Sequence, residues 1–236
     1  MSTATIDLYT DATPNGLKIS IALEELGLQY NVHKGLNDGA NTSPEFTAMN
    51  PNQKIPLLKD GEVVVSESGA ILYYLAEKSG TLLPKDLLKH TKVIEMLMLQ
   101  MSGLGPNFGQ LLVWGGAWNN EHPVATQRYA QEVNRLFNVL NTLLEGHEYF
   151  AGDEYSIADI AFFPWVRMAF VHPIGEMLEL AAGKSTKHAN LIAWYERIGQ
   201  REAVQRGLLV PEPHEPEKMF KAFVSSTVGL GELHNA

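Results

Sequence analysis

The sequence predicts a chain of two parts. Residues 1–82 read as an α/β unit, and residues 88–210 read as an all-helical domain. Three observations predict this. Between Thr5 and Glu77 the hydrophobic period changes in the order strand, helix, strand, helix, strand, strand, helix. Gly80 to Pro84 then breaks every pattern and reads as a linker. Beyond it, each periodic stretch has helical spacing only. The order βαβ-α-ββα is that of a thioredoxin-like unit, whose first two strands lie parallel with a right-handed crossover.

The elements follow in chain order. Thr5 to Thr10 alternates as a strand does, and Gly16 to Leu26 places Leu17, Ile21, Ala22 and Leu26 at helical spacing before Gly27. Gln29 to His33 reads as the second strand. A loop rich in Gly and Asn, Gly35 to Ser43, leads to a short helix at Pro44 to Met49. Asn52 to Glu77 organises the first part. Its two apolar runs flank Lys59-Asp60-Gly61-Glu62, and Asp-Gly between such runs is a strong hairpin signal. Pro56 fits the opening of a strand, and the Ile55–Pro56 bond is expected to be cis. Ser66 is the expected N-cap of the next helix, which carries Ile71, Leu72 and Leu75. After the linker, Leu87 to about Trp118 reads as one long helix kinked at Gly103 to Pro106. Thr126 to Leu144 is amphipathic, with Tyr129, Val133, Leu136, Phe137, Leu140 and Leu144 on one face. Ser156 to Val171, Leu191 to Gln200 and Ala203 to Leu208 are further helices. Residues 211–236 form a Pro- and Glu-rich extension whose Met219, Phe220 and Phe223 are candidates for docking.

Composition narrows the function. A chain of 236 residues, 45% apolar and 19% charged, is that of a globular protein with a real core. A net charge of −9, with no basic run, argues against nucleic acid as a partner. The apolar stretch Ile157 to Val171 is broken by Asp159, Pro164 and Arg167, so no membrane span is expected. Cysteine is absent, which removes disulfides, thiolate metal sites and a protein thiol nucleophile, and points to the cytoplasm. The eight histidines show no metal-ligand spacing, so no metal is expected.

The chemistry concentrates around the hairpin. A cis Ile55–Pro56 bond would turn the Ile55 N–H and C=O outward as a strand edge for an extended peptide. The following helix start offers free N–H groups and partial positive charge to a carboxylate, with the Ser68 N–H and hydroxyl as partners. Glu67 beside it suits an ammonium. Together they would read the amino-acid head of a small peptide. In a thioredoxin-like fold the turn Thr13-Pro14-Asn15-Gly16 faces that edge, so the Thr13 hydroxyl and Asn15 amide can donate to a ligand group held there. Thr13 also fits a helix cap with Pro14 at the first helical position. Tyr9, at the end of the first strand, competes for that place, but strand alternation favours a packing role. Ser156-x-x-Asp159 reads as a structural capping box. Phe108, Trp114, Trp118, Phe162 and Trp165 either line an apolar acceptor pocket or fill the core.

These motifs resemble the glutathione transferase family. The resemblance rests on Ile55-Pro56 followed by Glu67-Ser68-Gly69-Ala70-Ile71-Leu72, with Thr13-Pro14-Asn15-Gly16, Gly103-Leu104-Gly105-Pro106 and Ser156-Ile157-Ala158-Asp159-Ile160-Ala161. In detail it looks most like the nu class and the transferase-like domain of the yeast nitrogen-repression prion protein. It implies a thioredoxin-like domain joined to a helical one, a homodimer, and glutathione as co-substrate. Glutathione would lie on Ile55, Glu67 and Ser68 with its thiol toward Thr13 and Asn15. Asn41 stands where the family carries Gln or His at the glycine end, and the shorter Asn departs from that pattern. Lys54 either meets a carboxylate there or is simply solvated. Arg128 matches a nu-class arginine that approaches a second glutathione, and equally suits an ion pair with Glu132. The nu-class likeness implies disulfide reduction, with two glutathiones or one glutathione disulfide per subunit. Conjugation of glutathione to an apolar electrophile is the first alternative, and a glutathione-binding regulator with little catalysis is the second.

Overall fold

The computed structural model describes residues 5–34, 37–117, 122–171 and 188–212. β1 (Ile6–Thr10), α1 (Pro14–Glu25) and β2 (Tyr30–Lys34) form the expected parallel crossover, Ile6 opposite Tyr30 and Thr10 opposite Lys34. β3 (Leu57–Asp60) runs antiparallel to β1, and β4 (Val63–Ser66) antiparallel to β3, in the sheet order β2-β1-β3-β4. Central β1 buries Ile6, Leu8 and Thr10, whereas edge strand β2 is largely exposed.

Three local expectations change. Within the expected loop, Asn37–Thr42 winds as a 3₁₀ helix, tightened by the Thr42 hydroxyl donating to Gly39 O at 2.8 Å. It runs into α2 (Pro44–Met49), capped by Ser43. The hairpin turn is Gly61-Glu62 rather than Asp60-Gly61. Asp60 is the last rung of β3, opposite Val63, and only Gly61 of the two turn residues takes positive φ, at 63°. The reason lies in α3 (Ser68–Ser79): its Tyr74 hydroxyl and Lys78 hold the buried Asp60 carboxylate against the sheet. The cap of α3 is Glu67, not Ser66, because Ser66 is still paired with Leu57 in the ladder.

The described residues of the second half form helices joined by loops, with one isolated bridge between Tyr149 and Gly152. α4 (Leu87–Leu99) passes into a π-helical stretch, Gln100–Leu104, then α5 (Gly105–Leu111) and a second π-helical stretch, Leu112–Ala117. The expected kink is therefore a widened turn: the Gly105 N–H bonds to Gln100 O, and Pro106, which has no N–H to give, falls in the first turn of α5. α6 (Pro123–Leu143) buries Val133, Leu136, Phe137 and Leu140 on the expected face. α7 (Ile157–Val171) is the central core helix, followed by α8 (Ala189–Gly199) and α9 (Glu202–Gly207). Among the described residues, no helix is long and apolar enough to cross a membrane.

The two halves share one apolar core, running from Leu8 and Ile21 through Leu72 to Phe162 and Trp194. α1 is the joint, packed against α3 on one side and α7 and α9 on the other. The Ser20 hydroxyl donates to Gly207 O at 2.8 Å, and Arg201 binds the buried Glu25 carboxylate through two nitrogens at 2.6 and 2.9 Å. Of the extension, Glu212 reaches back to Lys34 on β2 at 2.8 Å; Met219, Phe220 and Phe223 lie outside the described residues.

Candidate functional site

A cleft of about 330 Å³ opens where the starts of α1 and α3 meet the π-helical turn, α5 and α7. Its first wall is α1. Thr13 caps this helix, accepting the Gly16 N–H at 3.1 Å, and is nearly buried. Its hydroxyl proton stays free of that bond. Gly16 is required for closeness: a Cβ there would stand 2.2 Å from Asp11 O and 2.4 Å from Thr10 Oγ1. Asn15, in the first turn, accepts the Trp165 indole N–H at 3.1 Å from across the domain boundary. An indole nitrogen can only donate. Asn15 Oδ1 is therefore fixed toward Trp165, and its NH₂ is left to donate into the cleft it lines.

The second wall is the start of α3. Glu67 takes a positive φ of 69° and makes no side-chain cap. That conformation is costly for a non-glycine residue and marks a site where the backbone is placed for a purpose. It leaves the first N–H groups of α3 without intrahelical partners, while the exposed Glu67 carboxylate sits at the rim with Asn52 Nδ2 3.5 Å away. Ser68 is buried beneath it. The Ile55–Pro56 bond is cis, as expected, and Ile55 lies just ahead of the first rung of β3, where Leu57 pairs with Tyr9 and Ser66.

The floor is a pair of residues that the sequence reading missed. Lys18 is 1% exposed, and its Nζ lies 2.7 Å from Gln100 Oε1 and 3.3 Å from Ser68 Oγ. Burial pushes its amine well below the usual lysine range, against the upward pull of Glu67. Gln100 is fully buried on the π-helical turn, and its Nε2 has no hydrogen-bond partner among the described residues. Lys18 could have been found, because it sits i,i+3 from Asn15 and so shares its helix face. Nothing in the sequence singles out Gln100.

Of the expected residues, Asn15, Glu67 and Ser68 line this cleft; Thr13, Ile55, Asn41, Lys54 and Arg128 lie outside its lining. Asn41 Nδ2 donates to Gln53 O at 2.9 Å, and Asn50 Nδ2 holds Lys54 O at 2.8 Å, so Asn41 and exposed Lys54 flank the same loop ahead of Ile55. Arg128, on α6, is two-thirds exposed and 3.8 Å from Glu132, whose tighter partner is Arg135 at 2.7 Å. Tyr9 stacks on His33 with ring centres 4.6 Å apart and meets the edge of Phe46, which is the expected packing role. Of the five aromatics, Phe108 and Phe162 are core, Trp165 lines the cleft, Trp114 is half-buried with its indole on Gln110, and Trp118 lies outside the described residues. The expected capping box is present: Asp159 Oδ2 accepts the Ser156 N–H and hydroxyl, while Oδ1 accepts Phe150 N–H and the Trp194 indole. Burial raises the Asp159 carboxyl to about 6 despite these donors.

Residues 4–77 match the model of the glutathione S-transferase N-terminal domain, and residues 116–202 match that of the C-terminal domain. The disulfide-bond oxidoreductase YfcG of Escherichia coli K12 is 41% identical over 212 residues, covering 86% of this chain and 94% of that protein. The chain belongs to the glutathione S-transferase family. Within the family it resembles the YfcG and YghU type and Ure2p-like members. A glutathione transferase from Pseudomonas putida, solved with one glutathione disulfide per subunit, superposes with a TM-score of 0.81 at 39% identity, covering 88% of this chain and 92% of that one. Ure2p in complex with glutathione gives 0.76 at 28% identity, covering 88% and 94%. This transferase shares with both the pairing of a four-stranded sheet unit with a helical domain.

Proposed function

We propose that this chain is a glutathione-dependent thiol–disulfide oxidoreductase whose nucleophile is the thiolate of bound glutathione. One observation carries the reading: the Trp165–Asn15 hydrogen bond turns an amide donor into the cleft shared with Ser68 and the start of α3. Residues 1–82 supply the glutathione site and residues 88–210 the opposing wall. The γ-glutamyl ammonium lies on Glu67 and its carboxylate on Ser68 and the α3 N–H groups. Ile55 pairs with the cysteinyl backbone, and Asn41 and Lys54 serve the glycine end. The sulfur faces Thr13 and Asn15. A free thiol titrates near ~8.5 and is mostly protonated at neutral pH. Two aimed donors and a helix start lower that value, so more of the bound thiol is thiolate.

The thiolate attacks one sulfur of the substrate disulfide. A glutathione mixed disulfide forms as the substrate S–S bond breaks, and the leaving thiolate takes a proton from water. A second glutathione thiolate, guided by Arg128 on α6, attacks the mixed disulfide. Glutathione disulfide and the second substrate thiol leave. The names of the relatives support this reading, and so does the absence of cysteine, since no residue of the chain can be the attacking sulfur. A reducing, cytoplasmic setting fits it. Met101, Pro106, Val113 and Trp165 make part of the cleft apolar, which favours conjugation to an apolar electrophile as the second reading. Steady-state rates with a small model disulfide and a model aromatic electrophile decide between them. Faster turnover of the electrophile would replace the first reading by the second, and glutathione binding without either turnover would leave a regulator.

We also infer a homodimer. A groove of about 790 Å³ between α3 and α4 is lined by Gly69, Ala70, Tyr73, Ile94, Leu97 and Met98, and Met98 is 54% exposed. An apolar face of this size suits a second copy of the chain. Sedimentation at micromolar concentration should give twice the mass of 26.1 kDa.

A further inference from the structure

Lys18 is the one buried amine at the site, and the reaction proposed above gives it no role. Its surroundings are unusual for a structural lysine. The π-helical turn brings Gln100 Oε1 to 2.7 Å and Met101 Sδ to 4.0 Å, and α3 brings Ser68 Oγ to 3.3 Å. No carboxylate touches it among the described residues. Glu67, at the rim of α3, is the charged group acting on it. α7 carries Asp159, occupied by Ser156, Phe150 and Trp194, and Arg167, whose pKa burial lowers against the opposing pull of Tyr195. α9 packs on α1 with Arg201 and Arg206 already bound to Glu25 and Glu24. Lys18 is therefore a buried amine whose partners, Gln100 Oε1, Ser68 Oγ and Met101 Sδ, are all neutral. Burial favours its uncharged form.

We propose that Lys18 is a positioning residue of the carboxylate subsite: when a carboxylate docks at the start of α3, Lys18 takes up one proton and becomes its buried counter-charge, acting through Ser68. An ammonium has donors and no acceptor. Once protonated, Lys18 must donate to Ser68 Oγ and Gln100 Oε1, so the Ser68 hydroxyl proton, which points to Met101 Sδ 3.7 Å away, is directed away from Lys18 and can turn to the ligand. Burial disfavours the Lys18 charge and a docked carboxylate favours it, which ties binding to proton uptake. This inference rests on the reading that the site holds the carboxylate of a glutathione-like peptide.

The test is titration calorimetry of the full chain with S-methylglutathione, in buffers of different ionisation enthalpy between about pH 6.5 and 8.5. The blocked thiol cannot release a proton, and at the low end of this range the ligand's amino group is already charged, so the count there isolates the protein. Wild type should take up close to one proton per subunit over part of this range. Lys18→Met should bind about 10-fold more weakly or worse and show no uptake. Gln100→Glu places a permanent carboxylate beside Nζ and should keep Lys18 charged in the empty site, so it should bind without uptake even if Lys18→Met fails to fold. Binding by wild type with no proton uptake overturns the role of Lys18 and leaves the glutathione reading standing. Uptake that persists in Lys18→Met or Gln100→Glu overturns it equally. No binding by wild type overturns both.

Discussion

At the scale of single residues, orientation decides what the site can do. Asn15 would be an ambiguous amide in isolation. The Trp165 indole at 3.1 Å makes it a directed donor. Trp165→Phe keeps the ring and removes the donor, and Thr13→Ala removes a hydroxyl. Each should raise the pKa of the bound thiol by about one unit, equivalent to roughly 1.4 kcal/mol. Thiolate absorbance of bound glutathione against pH would read this, and an unmoved profile in both variants would return the sulfur to Tyr9. Glu67→Gln and Ser68→Ala should each weaken glutathione binding by about 1.5–3 kcal/mol, since each removes a partner of a charged ligand group. Calorimetry with unchanged affinity in both would mean that the amino-acid head binds elsewhere. Of the cleft-lining residues the sequence singled out Asn15, Glu67 and Ser68, because each sits at a helix start, where residue type and position have a direct physical meaning. Lys18 and Gln100 stayed hidden because their partners lie far along the chain.

At the scale of elements, two contacts set the stability of the scaffold. Asp159 ties the start of α7 to the Phe150 backbone and to Trp194 of α8. Asp159→Ala strands these buried donors and should cost about 1–3 kcal/mol at neutral pH. The folded carboxyl titrates at about 6 and its unperturbed value is 3.8. The native state thus keeps an extra proton between those values, and the Asp159 contribution falls as pH rises from about 4 to about 6, by on the order of 3 kcal/mol. Urea unfolding should therefore show a wider gap between wild type and variant near pH 4 than near pH 7, with turnover per folded molecule unchanged. The second contact is Gly207 of α9 against α1. A Cβ there would stand 2.6 Å from Ile21 Cα and 2.7 Å from Ile21 N, which is backbone and cannot swing aside. Gly207→Ala should push α9 off α1 and cost about 1–3 kcal/mol, seen as a melting point lowered by about 2–4 °C per kcal/mol. An unchanged melting point would show that the two helices separate freely.

At the scale of the whole molecule, the site exists only where both halves meet. Lys18 reaches Gln100 and Asn15 reaches Trp165, each bond crossing from the sheet unit to the helices. The chain supplies no thiol of its own, so glutathione must carry the reacting sulfur. Treatment of the protein with a thiol alkylator, followed by its removal, should leave turnover intact. Intact mass during turnover should show no protein–glutathione disulfide. Loss of activity on alkylation would mean that another side chain carries the chemistry.

The order of elements, the cleft's helix starts and the need for an external thiol were determined by the sequence alone. Hydrophobic period, capping chemistry and the absence of a residue type are local or compositional, and survive without coordinates. The tertiary structure alone decided the rest. Asp60 is a strand residue because Tyr74 and Lys78 hold it, and Ser66 cannot cap α3 because Leu57 pairs with it. The expected kink region is a widened turn at Gln100, because Gly105 can bond five residues back and Pro106 needs no donor. A buried lysine reads as a surface residue until packing removes its water. Apart from the widened turn, whose partners are local, each of these outcomes is set by a partner in another element, and such a partner leaves no mark on local pattern.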